Sequence, residues 1–260
     1  MMLTKLVLST RGFRYWVDSI LYHLRYRHGN KRLEVLKNRY RGRPILVDGN
    51  GPSLTKTPLD DFRNVFSIGM NKIFLLFPRV KWRPNIILCI NNLVIQQSWP
   101  DLLKSGIPTF LSWKGRWFID RSSRKSFNYF LSLPSSDFSS NPLDGVGSAG
   151  TVTYAALQFA YFMGANPIIL FGIDHSFNCS GTANEIVKME GPDPNHFDPN
   201  YFADGQNWGL PNYQTSELAY RNAKAAFEAD NRKIYDATIG GKLDIFPKIS
   251  VNEARQICNV

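Results

Sequence analysis

The chain has 260 residues, 43% of them hydrophobic and 20% charged, with a formal net charge of +10. That length allows one large domain or two small ones, and that apolar fraction excludes disorder over most of it. The three cysteines, Cys89, Cys179 and Cys258, have no paired spacing, and with only four histidines they form no zinc-ligand pattern. No metal ligand is therefore expected, and a reducing compartment fits better than an oxidising one.

The charge is unevenly placed. Between Lys5 and Arg43 stand eleven Lys or Arg against two acids, Asp18 and Glu34, so this segment supplies nearly all of the excess. Nucleic acid, anionic lipid or a nucleotide could each answer such a charge. No nucleic-acid-binding signature accompanies it, so nucleic acid is not expected as a partner. The apolar stretches fall well short of the roughly 20 residues that span a bilayer. Met1 to Leu8 lack the apolar core and cleavage site of a signal peptide. The expectation is a cytoplasmic protein, peripheral at most to the inner face of the membrane.

Residues 1–43 read as a basic, amphipathic helical segment. Phe13, Trp16, Val17, Ile20, Leu21 and Leu24 recur at helical spacing, with Arg11, Arg14, Arg25 and Arg27 interspersed. Such a segment either lies on an anionic membrane or packs on the sheet of its own domain. From residue 44 onward the pattern is that of a nucleotide-binding α/β domain. Pro44-Ile45-Leu46-Val47-Asp48 is a buried strand that ends in the turn Gly49-Asn50-Gly51-Pro52-Ser53-Leu54. Further strands are predicted at 65–71, 84–91 and 107–111. Residues 114–142, polar and irregular, read as a long loop or small lid. A helix is predicted from Gly150 to Met163 with Gly164 as its C-cap, followed by a strand at 167–174. Residues 178–213 read as a second long loop, 215–231 as an amphipathic helix and 233–237 as a last strand. This alternation predicts a doubly wound, mostly parallel Rossmann-like sheet with a lid-like loop region.

Ligands of such sheets sit outside the carboxyl ends of the strands. Four apolar runs here end in a polar group: Asn50, Asn71, Asn91 and Asp174. Three strand-end amides would form a neutral cup of donors and acceptors, suited to a base, a ribose or a phosphate. One asparagine alone would more simply be a turn residue. The Gly49–Ser53 turn is neither GxGxxG nor GxxxxGK[ST]. Its glycines would let a ligand approach the backbone, and the helix after it would attract phosphate.

Gly49-Asn50-Gly51-Pro52-Ser53-Leu54 after a first strand resembles the opening motif of the bacterial family 42 sialyltransferases. Asn71 in Met70-Asn71-Lys72-Ile73-Phe74, Asn91 in Ile90-Asn91-Asn92, and Thr151 to Asp174 with Gly164 and Gly172-Ile173-Asp174 resemble that family's later segments. The matches cover roughly 44–175. The resemblance implies a GT-A-like sialyltransferase variant fold and a site for the CMP of a CMP-sugar. It assigns nucleotide binding to Asn50, Gly51, Asn71, Asn91 and Thr151, and Gly49, Pro52 and Ser53 of the same turn and Asp174 at a strand end are candidates beside them. Gly147-Ser148-Ala149-Gly150 is an alternative backbone cradle, which adds Ser148 and Gly150. The family's Thr-Ser-Gly is replaced here by Thr151-Val152-Thr153. Its two tyrosines after Gly-Ile-Asp, which stabilise the departing phosphate, are replaced by His175-Ser176-Phe177-Asn178. His175 then becomes the candidate donor to the leaving phosphate, and His196 the candidate general base. Each could equally brace a loop.

The later residues resemble a second group, the DUF115 proteins, one branch of which resembles the archaeal 6-hydroxymethylpterin diphosphokinase. The resemblance rests on His196-Phe197-Asp198-Pro199-Asn200-Tyr201-Phe202, Trp208, Lys233 to Thr238 and Gly240-Gly241-Lys242-Leu243. The first functional expectation is glycosyl transfer from a nucleotide sugar to a glycan or lipid-linked acceptor, in surface polysaccharide or glycoconjugate biosynthesis. No cofactor is implied, and the absence of a DxD sequence agrees. The alternative is ATP-dependent diphosphate transfer to a pterin, which would need Mg²⁺ and carboxylates such as Asp48 and Asp174. A third reading is a nucleotide-binding module without catalysis. A homo-oligomer is compatible with each.

Overall fold

The computed structural model describes residues 17–24, 26, 30–202 and 204–260. Seven strands form one sheet: β1 (Ile45–Asp48), β2 (Ser67–Met70), β3 (Ile86–Cys89), β4 (Thr109–Ser112), β5 (Asn128–Phe130), β8 (Ile168–Phe171) and β11 (Ile234–Asp236), in the order β11-β8-β1-β2-β3-β4-β5. All six pairings are parallel. Two short parallel strands, β6 (Ser132–Leu133) and β7 (Val146–Gly147), pair beside it. An antiparallel ribbon, β9 (Ile186–Lys188) and β10 (Asn207–Gly209), lies within the second long loop. The chain fills the sheet outward from β1 to β5, then returns to place β8 on the other flank of β1. The order therefore reverses between β1 and β8, and a crevice opens there at the strands' carboxyl ends.

Alternation along each strand divides the core into two layers. Val47, Ile68, Leu88, Phe110, Phe130 and Leu170 face one side, which is covered by α2 (Val152–Phe162) and α3 (Tyr213–Ala229). Leu46, Ile87, Cys89, Leu111, Tyr129 and Ile169 face the other, covered by α1 (Asn92–Lys104) and α4 (Val251–Cys258). Both faces of the central strands are buried, which is why β1, β2, β3 and β8 read as continuous apolar runs.

Several elements differ from the sequence expectation, the short strands β6, β9 and β10 within the two expected loops among them. Within 114–142, Asn128-Tyr129-Phe130 is the buried edge strand β5 rather than part of a loop. It is short, and its polar first residue hides the pattern; the Asn128 amide reaches the Thr109 carbonyl. Helix α1 carries Pro100 and a polar face, and so gives a weak periodic signal. Helix α4 is announced by a capping box: Ser250 accepts from the Glu253 N–H, and Glu253 accepts from the Ser250 N–H.

The packed domain also begins before residue 44. Residues 17–24 are helical, and Tyr22 is fully buried. Tyr26 accepts the Tyr129 N–H through its hydroxyl (2.9 Å), and Asn30 donates to the Tyr129 carbonyl (2.9 Å). These two side chains occupy backbone groups that the sheet edge would otherwise expose. Leu33 and Leu36 join the first core layer, and the backbone N–H groups of Asn38, Tyr40 and Gly42 bond to carbonyls at the end of α2. Residues 1–16, which include Phe13, Trp16, Arg11 and Arg14, lie outside the described residues, as do Arg25 and Arg27. Among the described residues no helix is long and apolar enough to cross a membrane.

Candidate functional site

A cavity of about 520 Å³ opens at the carboxyl edge of the sheet, over the reversal between β1 and β8. Gly49, Asn50 and Gly51 reach it from the end of β1, Asn71 from β2, Asn91 from β3, and Asp174 and His175 from β8. Ser148, Gly150 and Thr151 border it at the start of α2, and His196 comes from the second long loop. The parallel sheet thus gathers eleven of the thirteen sequence-derived site residues around one space. Pro52 and Ser53 are not among the cavity's walls: Pro52 opens a 3₁₀ turn, and Ser53 is buried against Asp174.

The glycine turn has an internal reason for its composition. Ser53 donates its backbone N–H (3.1 Å) and its hydroxyl (2.7 Å) to the Asp174 carboxylate. A Cβ on Gly51 would stand 1.9 Å from Asp174 Oδ2, and one on Gly49 would stand 2.2 Å from the Gly172 carbonyl oxygen. These residues are glycines because the ends of β1 and β8 press together, whatever ligand lies above them. Asp174 is accordingly a brace for the turn, with both oxygens engaged.

The three asparagines differ from one another. Asn91 caps α1, accepting the Leu93 N–H at 2.9 Å, so its side-chain oxygen is already used. Asn50 donates to the Met70 carbonyl (3.0 Å) and leaves its Oδ1 buried without a protein partner. Asn71 sits at φ +50°, a left-handed position that asparagine tolerates, and its Oδ1 is likewise buried and unpartnered. Both residues line one cavity, and neither oxygen has a donor among the described residues.

Beside them stands the N-terminus of α2. Thr151 is its N-cap but makes no side-chain capping bond; its hydroxyl lies 3.3 Å from the Tyr220 hydroxyl of α3. The first-turn residues Val152 and Thr153 line the cavity, so unpaired N–H groups and the positive end of the helix border it. The turn before the helix is held by Gln158, which is fully buried. Its Oε1 accepts from Ser139 and Gly147, and its amide donates to the Gly147 and Tyr154 carbonyls.

His196 is oriented by a residue that sequence reasoning missed. Its Nδ1 lies 2.8 Å from Asp193 Oδ2, and its ring stacks on Tyr201 at 3.9 Å and 1°. A carboxylate can only accept, so Nδ1 carries a proton towards Asp193, and in the neutral ring the lone pair is at Nε2. Asp193 also accepts N–H bonds from Asn195 and Phe202. Burial pushes its pKa up, but the hydrogen bond and charge of His196 and the two backbone donors outweigh this, and it stands below the usual value. The loop is fastened to the sheet edge at several points. Phe197 N–H donates to the Asn50 carbonyl, Arg79 pairs with Asp198, and Lys72 Nζ donates to the Tyr201 carbonyl (2.6 Å) and Gln206 (2.7 Å). Burial lowers the Lys72 pKa to about 8.

His175 is placed differently. It adopts φ +52°, and its Nε2 faces Glu217 at 3.3 Å, with Tyr213 edge-on at 4.9 Å. The Glu217 carboxyl is held below its usual value, chiefly by the His175 hydrogen bond. His175 therefore couples the end of β8 to the first turns of α3, and Tyr220 is the group of α3 that lines the cavity next to Thr151.

Of the carboxylates that metal-assisted diphosphate transfer would use, one lies outside the cavity and the other is engaged. Asp48 is fully buried on the α4 side of β1, outside the cavity, and desolvation raises its pKa well above the usual range. Asp174 is committed to Ser53. Among the described residues no group of three or more His, Cys, Asp or Glu could hold a metal ion.

The family model described as 6-hydroxymethylpterin diphosphokinase MptE-like matches residues 20–179. The chain belongs to that family. The matched region contains β1 to β8 and the turns bearing Asn50, Asn71, Asn91 and Thr151, and it stops before Asp193 and His196. Among solved structures, the MAf glycosyltransferase from Magnetospirillum magneticum AMB-1 is similar, with a TM-score of 0.52 and 16% identity. The likeness covers 86% of this chain but only 38% of that glycosyltransferase, and at this identity it is a likeness of fold. Comparison with curated proteins gives no match.

Proposed function

We propose that the chain transfers a glycosyl group from a nucleotide-activated sugar, and that a CMP-sugar is the donor. The observation that carries this reading is the pair of unpartnered acceptors, Asn50 Oδ1 and Asn71 Oδ1, beside the open N-terminus of α2 in one cavity. Ribose hydroxyls and the exocyclic amine of cytosine supply the donors that the two amides lack. A phosphate suits the helix N-terminus, where the N–H groups of the first turn are unpaired. The fold shared with a glycosyltransferase is consistent with it.

The reaction follows from the same residues. His196 Nε2, turned away from the Asp193 contact at Nδ1, takes the proton of an acceptor hydroxyl. The hydroxyl oxygen forms its bond to the anomeric carbon as the bond to the nucleotide phosphate breaks on the opposite face, so the configuration inverts. CMP departs with the electron pair, and the α2 N–H groups with the Thr151 and Tyr220 hydroxyls stabilise its phosphate oxygens. The acceptor is a glycan or a lipid-linked sugar. Diphosphate transfer from ATP is the weaker reading, because Asp48 lies outside the cavity and Asp174 is engaged.

Calorimetry with CMP, CDP, UDP, GDP and ATP, with and without Mg²⁺, tests the donor. CMP and CDP should bind most tightly and independently of Mg²⁺. Asn71→Ala should weaken CMP by about three- to tenfold, the worth of one hydrogen bond. Tighter, Mg²⁺-dependent binding of ATP would reject the CMP-sugar in favour of diphosphate transfer.

A further inference from the structure

We propose that the surface made by the N-terminal helix and the turns following β4 docks on an anionic lipid bilayer. Trp117 is 61% exposed, Phe118 38% and Leu24 75%, three large apolar groups left in water where the other bulky aromatics among the described residues are mostly buried. The exposed Arg121 and Lys125 and the half-buried Arg124 accompany them within one short stretch of chain.

The arrangement is built. Arg116 stacks on both Trp113 (3.7 Å) and Trp117 (4.4 Å), and Arg124 lies 5.3 Å from the Trp117 ring centre. Arg116 is in turn anchored to Asp18 of the N-terminal helix at 2.8 Å. The Trp117 indole is thus fixed among cations with most of its surface outward. A cavity of about 330 Å³ lies between the two segments, walled by aromatic rings, Leu21 and the cationic side chains Arg116, Arg124 and Lys125. An indole and a phenyl ring beside guanidinium and ammonium groups match the bilayer interface, where aromatic rings sit at headgroup depth and cations meet anionic headgroups.

Charge along the chain points the same way. The helix of residues 17–24 borders this face through Leu21, and in the sequence it stands between Arg11 and Arg14 on one side and Arg25 and Arg27 on the other. The only acid in the stretch from Lys114 to Ser126 is Asp120. Trp113 and Lys114, at the start of that stretch, also line the large cavity, so docking brings its mouth to the bilayer surface. A soluble glycan would not need this placement; an acceptor carried on a lipid would.

The test is co-sedimentation of the full chain with phosphatidylcholine vesicles, with and without phosphatidylglycerol, at rising salt. Binding should require phosphatidylglycerol and weaken as the Debye length falls from about 10 Å at 0.1 M to about 3 Å at 1 M. Arg121→Gln with Lys125→Gln should weaken binding about 25-fold, each charge near the surface being worth about fivefold. Trp117→Ala with Phe118→Ala should also weaken it. Neither pair packs in the core, and an unchanged melting temperature and unchanged CMP affinity would show that fold and nucleotide site persist. Equal binding to both vesicle types, variants that bind like the parent, or a patch that instead pairs two chains or takes up duplex DNA more tightly than vesicles would each overturn the proposal. Because the readout is vesicle binding, its outcome is independent of whether the donor is a CMP-sugar.

Discussion

Asp193→Asn separates the orientation of His196 from its mere presence. The Asp193 side chain is 1% exposed and accepts three hydrogen bonds: His196 Nδ1 at 2.8 Å and Phe202 N at 3.1 Å on one oxygen, Asn195 N at 2.8 Å on the other. An amide has one acceptor oxygen and one donor group, so it cannot meet all three. If its NH₂ faces Asn195, that buried N–H loses its partner. If it faces His196 and Phe202, the Phe202 N–H is orphaned and the imidazole must accept at Nδ1, which moves the ring proton to Nε2 and abolishes the base. An orphaned buried donor costs about 1–3 kcal/mol, and loss of the carboxylate's charge-assisted bonds adds to it. We expect a destabilisation of about 2–4 kcal/mol, or about 5–15 °C in melting temperature for a chain of this size. Turnover should fall about 10²- to 10⁴-fold, measured on CMP-sugar and acceptor well below both melting points, with donor KM little changed. The pH dependence carries a sign. The Asp193 pKa is lowered in the fold, so its contribution is present above the unfolded value of about 3.9 and disappears as pH falls through the folded value. The stability difference from the parent should therefore shrink from pH 7 towards pH 3. A variant that keeps turnover within threefold of the parent would refute the role given to this pair.

His196→Ala should lower turnover by a similar factor while CMP affinity stays within twofold by calorimetry; a large loss of CMP affinity would place the imidazole on the nucleotide instead. Gly51→Ala puts a Cβ 1.9 Å from Asp174 Oδ2 and must open the Ser53–Asp174 contact. With Asp174 half-buried, about 2–4 kcal/mol of stability should be lost in urea unfolding, and a neutral effect would show the turn to be soft. Asp48→Asn acts in the other direction. Desolvation raises the Asp48 pKa, so its folded form is most stable below about pH 4 and loses stability as pH rises towards the raised value. The asparagine variant should gain melting temperature over the parent progressively as pH rises above 4, and a constant difference would contradict the titration. Lys72→Met removes both bonds to the 193–206 loop, and should raise protease cleavage there more than it lowers the melting temperature.

What the sequence disclosed follows from the geometry of parallel strands. A strand buried on both faces must be an apolar run, and its first polar residue marks its carboxyl end. Asn50, Asn71, Asn91 and Asp174 could be read as strand-end residues for that reason, and a parallel sheet brings such ends to one edge. The pattern says nothing of what each end group bonds to. Asp174 and Asn91 are taken up by Ser53 and by the first turn of α1, contacts that depend on the approach of β8 to β1 and on a helix with a proline inside it. Edge strand β5 was illegible because it is three residues long and begins with asparagine.

The chemistry lay further from the pattern than the fold did. Asp193 and His196 are separated by Pro194 and Asn195 in a loop with no period, so no spacing rule brings their side chains to one place; a network of backbone and side-chain bonds to Asn50, Lys72 and Arg79 does. Tyr220 falls on the buried stripe of α3 with Ala219, Ala223 and Phe227, where its ring answers to packing and only its hydroxyl answers to the cavity. The same division holds for the basic N-terminus. Its helical spacing predicts an apolar face that includes Val17, Ile20, Leu21 and Leu24, but the side chains that cover the edge beside β5 are Tyr22 and Tyr26, and Leu24 stays exposed. The protein buries Tyr22 but leaves Leu24, Trp117, Arg121 and Lys125 exposed, and these are the groups that the proposed docking would engage. Removing residues 1–43 would therefore strip the sheet edge as well as the basic segment, whereas point changes at Arg121 and Lys125 test the charge alone.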